Sequence, residues 1–440
     1  MSSTLEGKPP DPAPARASFE IEDPKSEPFV SREVDLGQIL EIESTPDQQK
    51  KVLVNLLPLM GVCYMMQYMD KIALSQATLF DLREDLNLRG QQYSWASAIF
   101  YFGYLAWSPI SSYLIVRLPM GKYLTVSVFV WGGVLMCHAA SKNFNGLMTA
   151  RFFLGVAESA IAPGFSLITG MFYRREEQPA RNAIFLTKTE RAIAVQRTLV
   201  NKTGTMDTGS FKWDQVRLCL RDPQTWLLVL YTFCVNLCNG GMTSFASILI
   251  NGFGFSQLRS LLMQMPLGAA QIVFLIGTAT VATLIPRTRI LMMILNTLAS
   301  MIGLILVWKL DDDNRTGRLV GLSLATVFAC NIPLSLSIIS SNVAGFTKRS
   351  VTSAMLFVAY CVGNIVGPQF FYESEAPRYP TGMKVAISGL ALAAFFLACL
   401  LFYYVYENRR RDVAYGAPAQ LSEEEELSDP LRWTGTPELS

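Results

Sequence analysis

Charge is what this 440-residue sequence has least of: 16% of its residues are Asp, Glu, Lys or Arg, where an ordinary soluble domain carries about a quarter. Histidine is rarer still, with His138 alone. One imidazole excludes a histidine-rich metal centre. It also leaves no nucleophile, base and metal from which an enzyme site is assembled, so neither a cofactor nor a metal is expected. The 37 Lys and Arg nearly balance the 35 Asp and Glu, for a net charge of +2. No basic patch of the kind that holds nucleic acid stands out. The eight cysteines, Cys63, Cys137, Cys219, Cys234, Cys238, Cys330, Cys361 and Cys399, have neither paired zinc spacing nor an extracellular cluster. Most fall inside apolar runs and read as small buried side chains. No secretory leader is read either: residues 1–51 are Pro-rich and charged and read as a disordered tail.

What is present is hydrophobic length. Of all residues, 51% are hydrophobic, and the charges cluster between long apolar runs, the pattern of a many-span helical membrane protein. A span needs about 20 mainly apolar residues. Ten are read, at 52–78, 92–116, 122–141, 144–172, 225–250, 260–285, 288–309, 318–343, 351–372 and 382–406. The expected organisation is a cytoplasmic tail (1–51), a transmembrane half of four spans (52–172), a cytoplasmic linker (173–224), a second half of six spans (225–406) and an acidic cytoplasmic tail (407–440).

Lys and Arg in short loops set orientation. One set of loops holds Arg117 and Lys122, Arg174 and Arg175, Arg287 and Arg289, and Lys348 and Arg349, and the C-terminal tail opens with Arg409, Arg410 and Arg411. The other set holds Asp81, Glu84, Asp85, the run Asp311 to Asp313, Glu373 and Glu375, mixed with a few basic residues. This bias places both termini in the cytoplasm. It also puts the sequon Asn314-Arg-Thr316 outside, where it is usable for N-glycosylation, and leaves Asn201-Lys-Thr203 inside as a chance match. Within the linker, Thr187-x-x-Glu190 reads as a capping box, followed by Ala192, Val195 and Leu199 at helical spacing.

The chemistry concentrates in a few charges at membrane depth. Arg151 and Glu158 are the sole charges between Leu147 and Phe172. An ionisable side chain there costs roughly 2.5 kcal/mol or more, so it faces a cavity or a partner. Seven residues are two helical turns, so both share one face, about 10 Å apart. Asp70 and Lys71 follow an uncharged run from Val52 to Met69 and fall within the first helix or at its outer end. The bland readings are a structural ion pair between helices for Arg151 and Glu158, and an interfacial charge pair for Asp70 and Lys71. Apolar surroundings favour the neutral form of a carboxyl, and a neighbouring cation favours the charged form. An anion bound at Arg151 weakens that cation's pull on Glu158 and favours proton uptake, which is symport.

Four stretches carry a resemblance: YMMQYMDKIALSQA (64–77), GQQYSWASAIFYFGYLAW (90–107), RFFLGVAESAIAPGFSLITGMFYRREE (151–177) and VAGFTKRSVTSAMLFVAYCVGNIVGPQFFYESEAPR (343–378). Together they resemble the fungal allantoate-permease branch of the anion:cation symporters, within the major facilitator superfamily. The resemblance runs from about residue 50 to 410. It implies an all-α polytopic fold of two six-helix halves around a central cavity, moving a small organic anion with a proton by alternating access, in the plasma membrane. It further implies that Asp70 and Glu158 exchange the proton, that Arg151 binds the substrate carboxylate, and that Lys71 stands where relatives often have Arg. Gln67 and Tyr64 precede Asp70 near the same face and suit a ureido or amide group. Asn236 and Asn239, beside Gly240 and Gly241, read either as substrate contacts on a broken helix or as close packing; Asn331 and Asn364 have the same two readings.

The sequence departs from that pattern. Relatives have two more helices where Leu186 meets Thr187, and Arg181 to Leu186 resembles a fifth helix that breaks off. Losing an even number of spans keeps the second half the right way up, in accord with the loop charges. The loop Arg117-Leu-Pro-Met-Gly121-Lys122 lacks the Asp of the superfamily's gate motif. The leading expectation is therefore a proton-coupled carrier of a small organic anion, either a ureido acid such as allantoate or a vitamin-type carboxylate. The alternative is a truncated, non-transporting membrane protein that partners the full-length carrier.

Overall fold

The structure, a computed structural model, describes residues 46–165, 213–285, 288–343 and 346–415. Among these residues every regular element is helical. We number the principal helices α1 (Pro46–Ala77), α2 (Gln92–Arg117), α3 (Met120–Cys137), α4 (Phe144–Glu158), α5 (Trp213–Arg221), α6 (Pro223–Gly252), α7 (Met265–Leu284), α8 (Arg289–Lys309), α9 (Arg315–Ala325), α10 (Asn331–Asn342), α11 (Phe346–Val366) and α12 (Pro380–Tyr415). Residues 1–45 and 416–440 of the expected tails, Arg174, Arg175, Arg287, the segment Arg181–Leu186, the capping box with its helical repeat and the Asn201 sequon lie outside the described residues, whereas 46–51 belong to α1 and 407–415 to α12 rather than to tails.

Among the described residues, seven helical segments are long and apolar enough to cross a membrane: Met120–Ala140, Pro223–Gly252, Gln257–Leu284, Arg289–Lys309, Arg315–Ile339, Thr347–Phe370 and Pro380–Arg410. The protein is an all-α polytopic membrane protein. The other three expected spans coincide with α1, α2 and α4. With 32 and 26 residues, α1 and α2 have the length to span, and they carry many of the polar groups of the site.

Helix ends follow from local chemistry. Asn143 caps α4 by accepting from the amide of Gly146 (2.8 Å), Asp222 caps α6 by accepting from Gln224 (3.0 Å), and Asn314 caps α9 by accepting from Gly317 (2.9 Å). Each satisfies an amide that has no partner within the helix. The expected span 144–172 is interrupted: α4 stops at Glu158, Ser159 and Ala160 form a turn, and the helix resumes at Ile161. Pro163 explains the break, because its ring excludes the carbonyl of Ser159 four residues earlier.

The N-terminal helices pack through close backbone approach. A Cβ on Gly155 of α4 would strike the carbonyl oxygen of Phe100 on α2, and one on Gly103 would strike that of Phe152. In the C-terminal part, Gly240 and Gly363 do the same for α6 and α11: a Cβ at Gly240 would lie 2.8 Å from the carbonyl oxygen of Asn364. Small residues at such crossings let membrane helices gain van der Waals contact that larger ones forbid. Helix α6 runs unbroken through Gly240 and Gly241, so this glycine pair serves packing.

The two parts meet along α1 with α6 and α2 with α11. At one end, Tyr93 Oη donates to the carbonyl of Ser244 (2.5 Å), Ser97 and Ser244 share a hydroxyl bond (2.5 Å), the amide of Ser247 donates to Ser75 (3.4 Å), and Gln76 donates to Gln264 (3.3 Å). Arg83 reaches Glu373 at 3.8 Å. The loops read as outer are bonded to one another at this end, since Asp312 also binds Arg378 (2.5 Å) and Arg318 (2.6 Å). We call it the acidic-loop end.

Two outcomes are expected. Gly155→Leu wedges α2 from α4 and lowers stability by about 1–3 kcal/mol, as overpacking does. Gly132→Leu, where a Cβ meets nothing within 4 Å, leaves thermal unfolding in detergent unchanged. Second, the hydrogen bond from Arg378, with the charges of Arg378 and Arg318, holds the Asp312 carboxyl below the usual carboxylate range. A lowered value means that the bridge is fully formed above the ordinary carboxylate value and is lost as pH falls through the lowered one. Limited proteolysis after Arg378 therefore rises on acidification, and Asp312→Asn makes it fast at every pH.

Candidate functional site

Helix α1 presents Gln67, Asp70 and Lys71 inward, and α4 presents Arg151 and Glu158. Gln67, Asp70, Arg151 and Glu158 are all at most 5% exposed. Adjacent residues on a helix point about 100° apart, so Asp70 and Lys71 serve different neighbours. Lys71 reaches α4, with Nζ 2.8 Å from Glu158 Oε1. Gln67, one turn earlier, donates from Nε2 to the same oxygen at 2.5 Å. Asp70 turns to α3, where the Trp131 indole donates to Oδ2 at 2.7 Å.

These bonds answer a local electrostatic problem. Glu158 is the last residue of α4, where unpaired carbonyls disfavour an anion. Lys71 and Gln67 supply the compensation. Each carboxyl is half satisfied: Asp70 Oδ1 and Glu158 Oε2 are buried without a hydrogen-bond partner.

Arg151 is arranged otherwise. It makes no ion pair among the described residues, and its single hydrogen bond runs from Nε to the carbonyl of Ala96 at 3.4 Å. Its guanidinium lies 5.7 Å from the centre of the Phe100 ring. Among the described residues neither terminal nitrogen of this buried guanidinium has a hydrogen-bond partner, and two parallel N–H groups match the two oxygens of a carboxylate. Arg151 and Glu158, two turns apart on α4, make no direct bond with one another, and the cation bonded to Glu158 is Lys71.

An aromatic wall borders these groups. Phe100, Tyr101 and Tyr104 of α2 meet Phe357 and Tyr360 of α11, with Tyr101 to Tyr360 at 5.9 Å and Tyr104 to Phe357 at 5.2 Å between ring centres. Lys71 Nζ stands 5.8 Å from the Phe100 centroid and 6.0 Å from that of Tyr104. Tyr64 is 37% exposed and meets Phe165 edge-on at 5.2 Å, away from the bonds of the charged cluster.

Asn236 and Asn239 are brought together with Asn364 rather than with the charges. Asn239 donates to Asn364 Oδ1 at 2.8 Å, Asn364 donates to Asn236 Oδ1 at 2.9 Å, and Asn236 donates to the carbonyl of Thr232 at 2.7 Å. A second knot joins Thr278, Asn296 and Asn331, with Asn296 donating to Asn331 Oδ1 at 3.0 Å and Asn331 donating to Thr297 at 3.1 Å. Amide bonds between membrane helices hold the helices in register.

Sequence reasoning missed Trp131 and the wall. The signal for Trp131 was present: an indole in the middle of an apolar span, away from the interfacial belts where Trp collects, needs a partner for its N–H. No group of His, Cys, Asp and Glu among the described residues is arranged to hold a metal ion.

A family model for the Major Facilitator Superfamily matches residues 60–190 and 187–368. The match falls in two segments that overlap where Leu186 meets Thr187. An uncharacterized transporter of Schizosaccharomyces pombe is 31% identical over 83% of this chain and 79% of its own length. The Allantoate permease of Saccharomyces cerevisiae is 31% identical over 87% and 85%, and the Thiamine pathway transporter of the same yeast 28% over 84% and 82%. Among solved structures, a bacterial homolog of the human lysosomal transporter Spinster aligns with a TM-score of 0.53 at 11% identity, covering 83% of this chain and 98% of that one.

The Lys71–Glu158 pair yields a stability test. Removing one partner of a buried pair costs about 3–5 kcal/mol, whereas removing both can be nearly neutral. Lys71→Met is expected to lower thermal stability in detergent steeply, and Lys71→Met with Glu158→Gln to recover most of the loss.

Proposed function

We infer that this chain, which belongs to the Major Facilitator Superfamily, carries a small organic anion across a membrane together with a proton. Family membership supports a membrane transporter; the absence of an enzymatic activity, the coupling ion, the substrate and the roles of single residues are our proposal. The observation that carries it is Arg151: a buried guanidinium whose terminal nitrogens have no hydrogen-bond or ion-pair partner among the described residues, in a cluster that already holds two carboxyls and a second cation.

Charge counting gives the mechanism. Lys71 and Arg151 against Asp70 and Glu158 sum to zero. An arriving monoanion at Arg151 leaves one uncompensated negative charge at membrane depth, which is costly. Protonating Asp70 or Glu158 restores neutrality, and each has one oxygen without a partner. Anion and proton therefore bind as a neutral set. Release of one at the far side favours release of the other. Gln67 holds the Glu158 carboxyl, while Asn236 and Asn239, first read as substrate contacts, hold α6 against α11 through Asn364, and Tyr64 stands apart against Phe165. The name of the yeast allantoate permease favours a ureido acid as substrate, and the flat aromatic wall suits a planar one.

On this reading the ten spans run with both termini cytoplasmic, the acidic-loop end faces outward in the plasma membrane, and Asn314 is open to glycosylation. A second reading is favoured by one observation, the division of the family match into two segments that meet at 187–190. Two helices missing there would expose the repeat interface where such carriers bind their cargo. The chain would then be a non-transporting form that partners the complete carrier. Sequencing the transcript across Leu186–Thr187 separates the two. About eighty further residues, two helices of about 20 with their loops, would identify the complete protein.

The functional test is uptake of radiolabelled allantoate and vitamin carboxylates into proteoliposomes under an imposed pH gradient. Uptake is expected to collapse with the gradient. Arg151→Gln is expected to reduce it about tenfold or more, the worth of a charge-assisted bond of about 1.5–3 kcal/mol. Uptake indifferent to the gradient would rule out proton symport.

A further inference from the structure

Helix α5 precedes the first span of the C-terminal half and has two contrasting faces. Its inner face is fastened to α11. Cys219 is fully buried with Sγ 3.2 Å from Thr352 Oγ1, and the Gln215 side chain accepts from the amide of Lys348 at 3.2 Å. Just beyond the helix, Asp222 binds Lys348 Nζ at 2.6 Å.

The other face is open, and its composition does not suit water. Trp213 is 73% exposed and Leu220 48%. Beside them Trp226, in the first turn of α6, is 46% exposed and donates its indole N–H to the carbonyl of Leu220 at 2.8 Å. Indoles at the mouth of a membrane helix sit at headgroup level, and this bond sets the end of α5 at the level of Trp226. Arg217 and Arg221 stand on the same open face and make no ion pair among the described residues. Four residues apart, they are neighbours on the helix surface. Asp214, also exposed, is the one acid on that face, so the charge is net positive.

We propose that α5 is an interfacial helix that binds anionic lipid headgroups. Trp213, Leu220 and Trp226 enter the acyl boundary, while Arg217 and Arg221 grip the headgroup phosphate or carboxylate. An apolar face with aromatic anchors and arginines above it is the composition that lies in the plane of a bilayer and responds to anionic lipid. Because α5 is fastened to α11, which carries Phe357 and Tyr360 of the aromatic wall, bound lipid also steadies one side of the contact between the halves. The binding claim does not depend on what the protein transports.

The test uses the full chain in phosphatidylcholine vesicles, with and without phosphatidylserine. Tryptophan quenching by brominated acyl chains is measured, and the share of Trp213 and Trp226 is obtained by comparison with W213F/W226F. Brominated phosphatidylserine is expected to quench that share in preference to brominated phosphatidylcholine, by about fivefold per arginine. High salt and R217Q/R221Q should abolish the preference, and R217K/R221K should keep it. Equal quenching by both lipids, or none, overturns the proposal. So does full competition by soluble glycerophosphoserine, which would mark a soluble-anion site instead.

Discussion

Everything at the centre of this protein depends on charge balance in a medium that tolerates no imbalance. Four ionisable side chains on two helices are held at membrane depth, two of each sign. Lys71 and Gln67 hold one oxygen of Glu158, Trp131 holds one oxygen of Asp70, and Arg151 is left with its fork unengaged. The set is stable because it is neutral. Neutrality is reached with a guanidinium fork and two carboxyl oxygens that have no hydrogen-bond partner among the described residues. On the proposed reading, an anion and a proton enter this set together without disturbing its sum.

Helix packing makes that cluster possible. The α2–α4 crossing, tight enough to require Gly103 and Gly155, brings Arg151 against Phe100 and the Ala96 carbonyl. Pro163 breaks the fourth span just past Glu158, so the carboxyl is presented at a helix end, where a cation is needed. At the acidic-loop end the halves are joined by hydroxyl and amide bonds through Ser75, Tyr93, Ser97 and Gln264. Bonds of this kind are individually modest, about 0.5–1.5 kcal/mol net. They can open and re-form, as alternating access requires.

Much of this was legible in the sequence. Long apolar runs gave the helical class, and the loop charges grouped Asp81, Asp312 and Glu373, which the fold joins at one end. Isolated charges in apolar runs marked Asp70, Lys71, Arg151 and Glu158, because the cost of burying them is a property of composition. What was not legible is who pairs with whom. Arg151 and Glu158 share a helix, yet Glu158 takes Lys71, since the crossing of α1 and α4 decides contacts that spacing along one helix cannot. The need of the Trp131 indole for a partner was legible, but that Asp70 is that partner was not, for the same reason. Asn236 and Asn239 illustrate a real ambiguity: an amide in a membrane helix serves a ligand or a neighbouring helix equally well, and here their bonds go to Asn364 and Thr232. Helix α5 escaped because nine residues with two arginines look like any polar linker until the burial of Cys219 shows which face is in.

The most direct test of the charge-balance account is an infrared difference spectrum of the reconstituted protein, recorded as allantoate or another carried carboxylate binds. The account predicts that binding converts a carboxylate to a protonated carboxyl, and that this signal is lost when Glu158→Gln and Asp70→Asn are combined. Anion binding with no gain of a protonated carboxyl would contradict it, and the cluster would then be a structural ion network beside the path of the substrate.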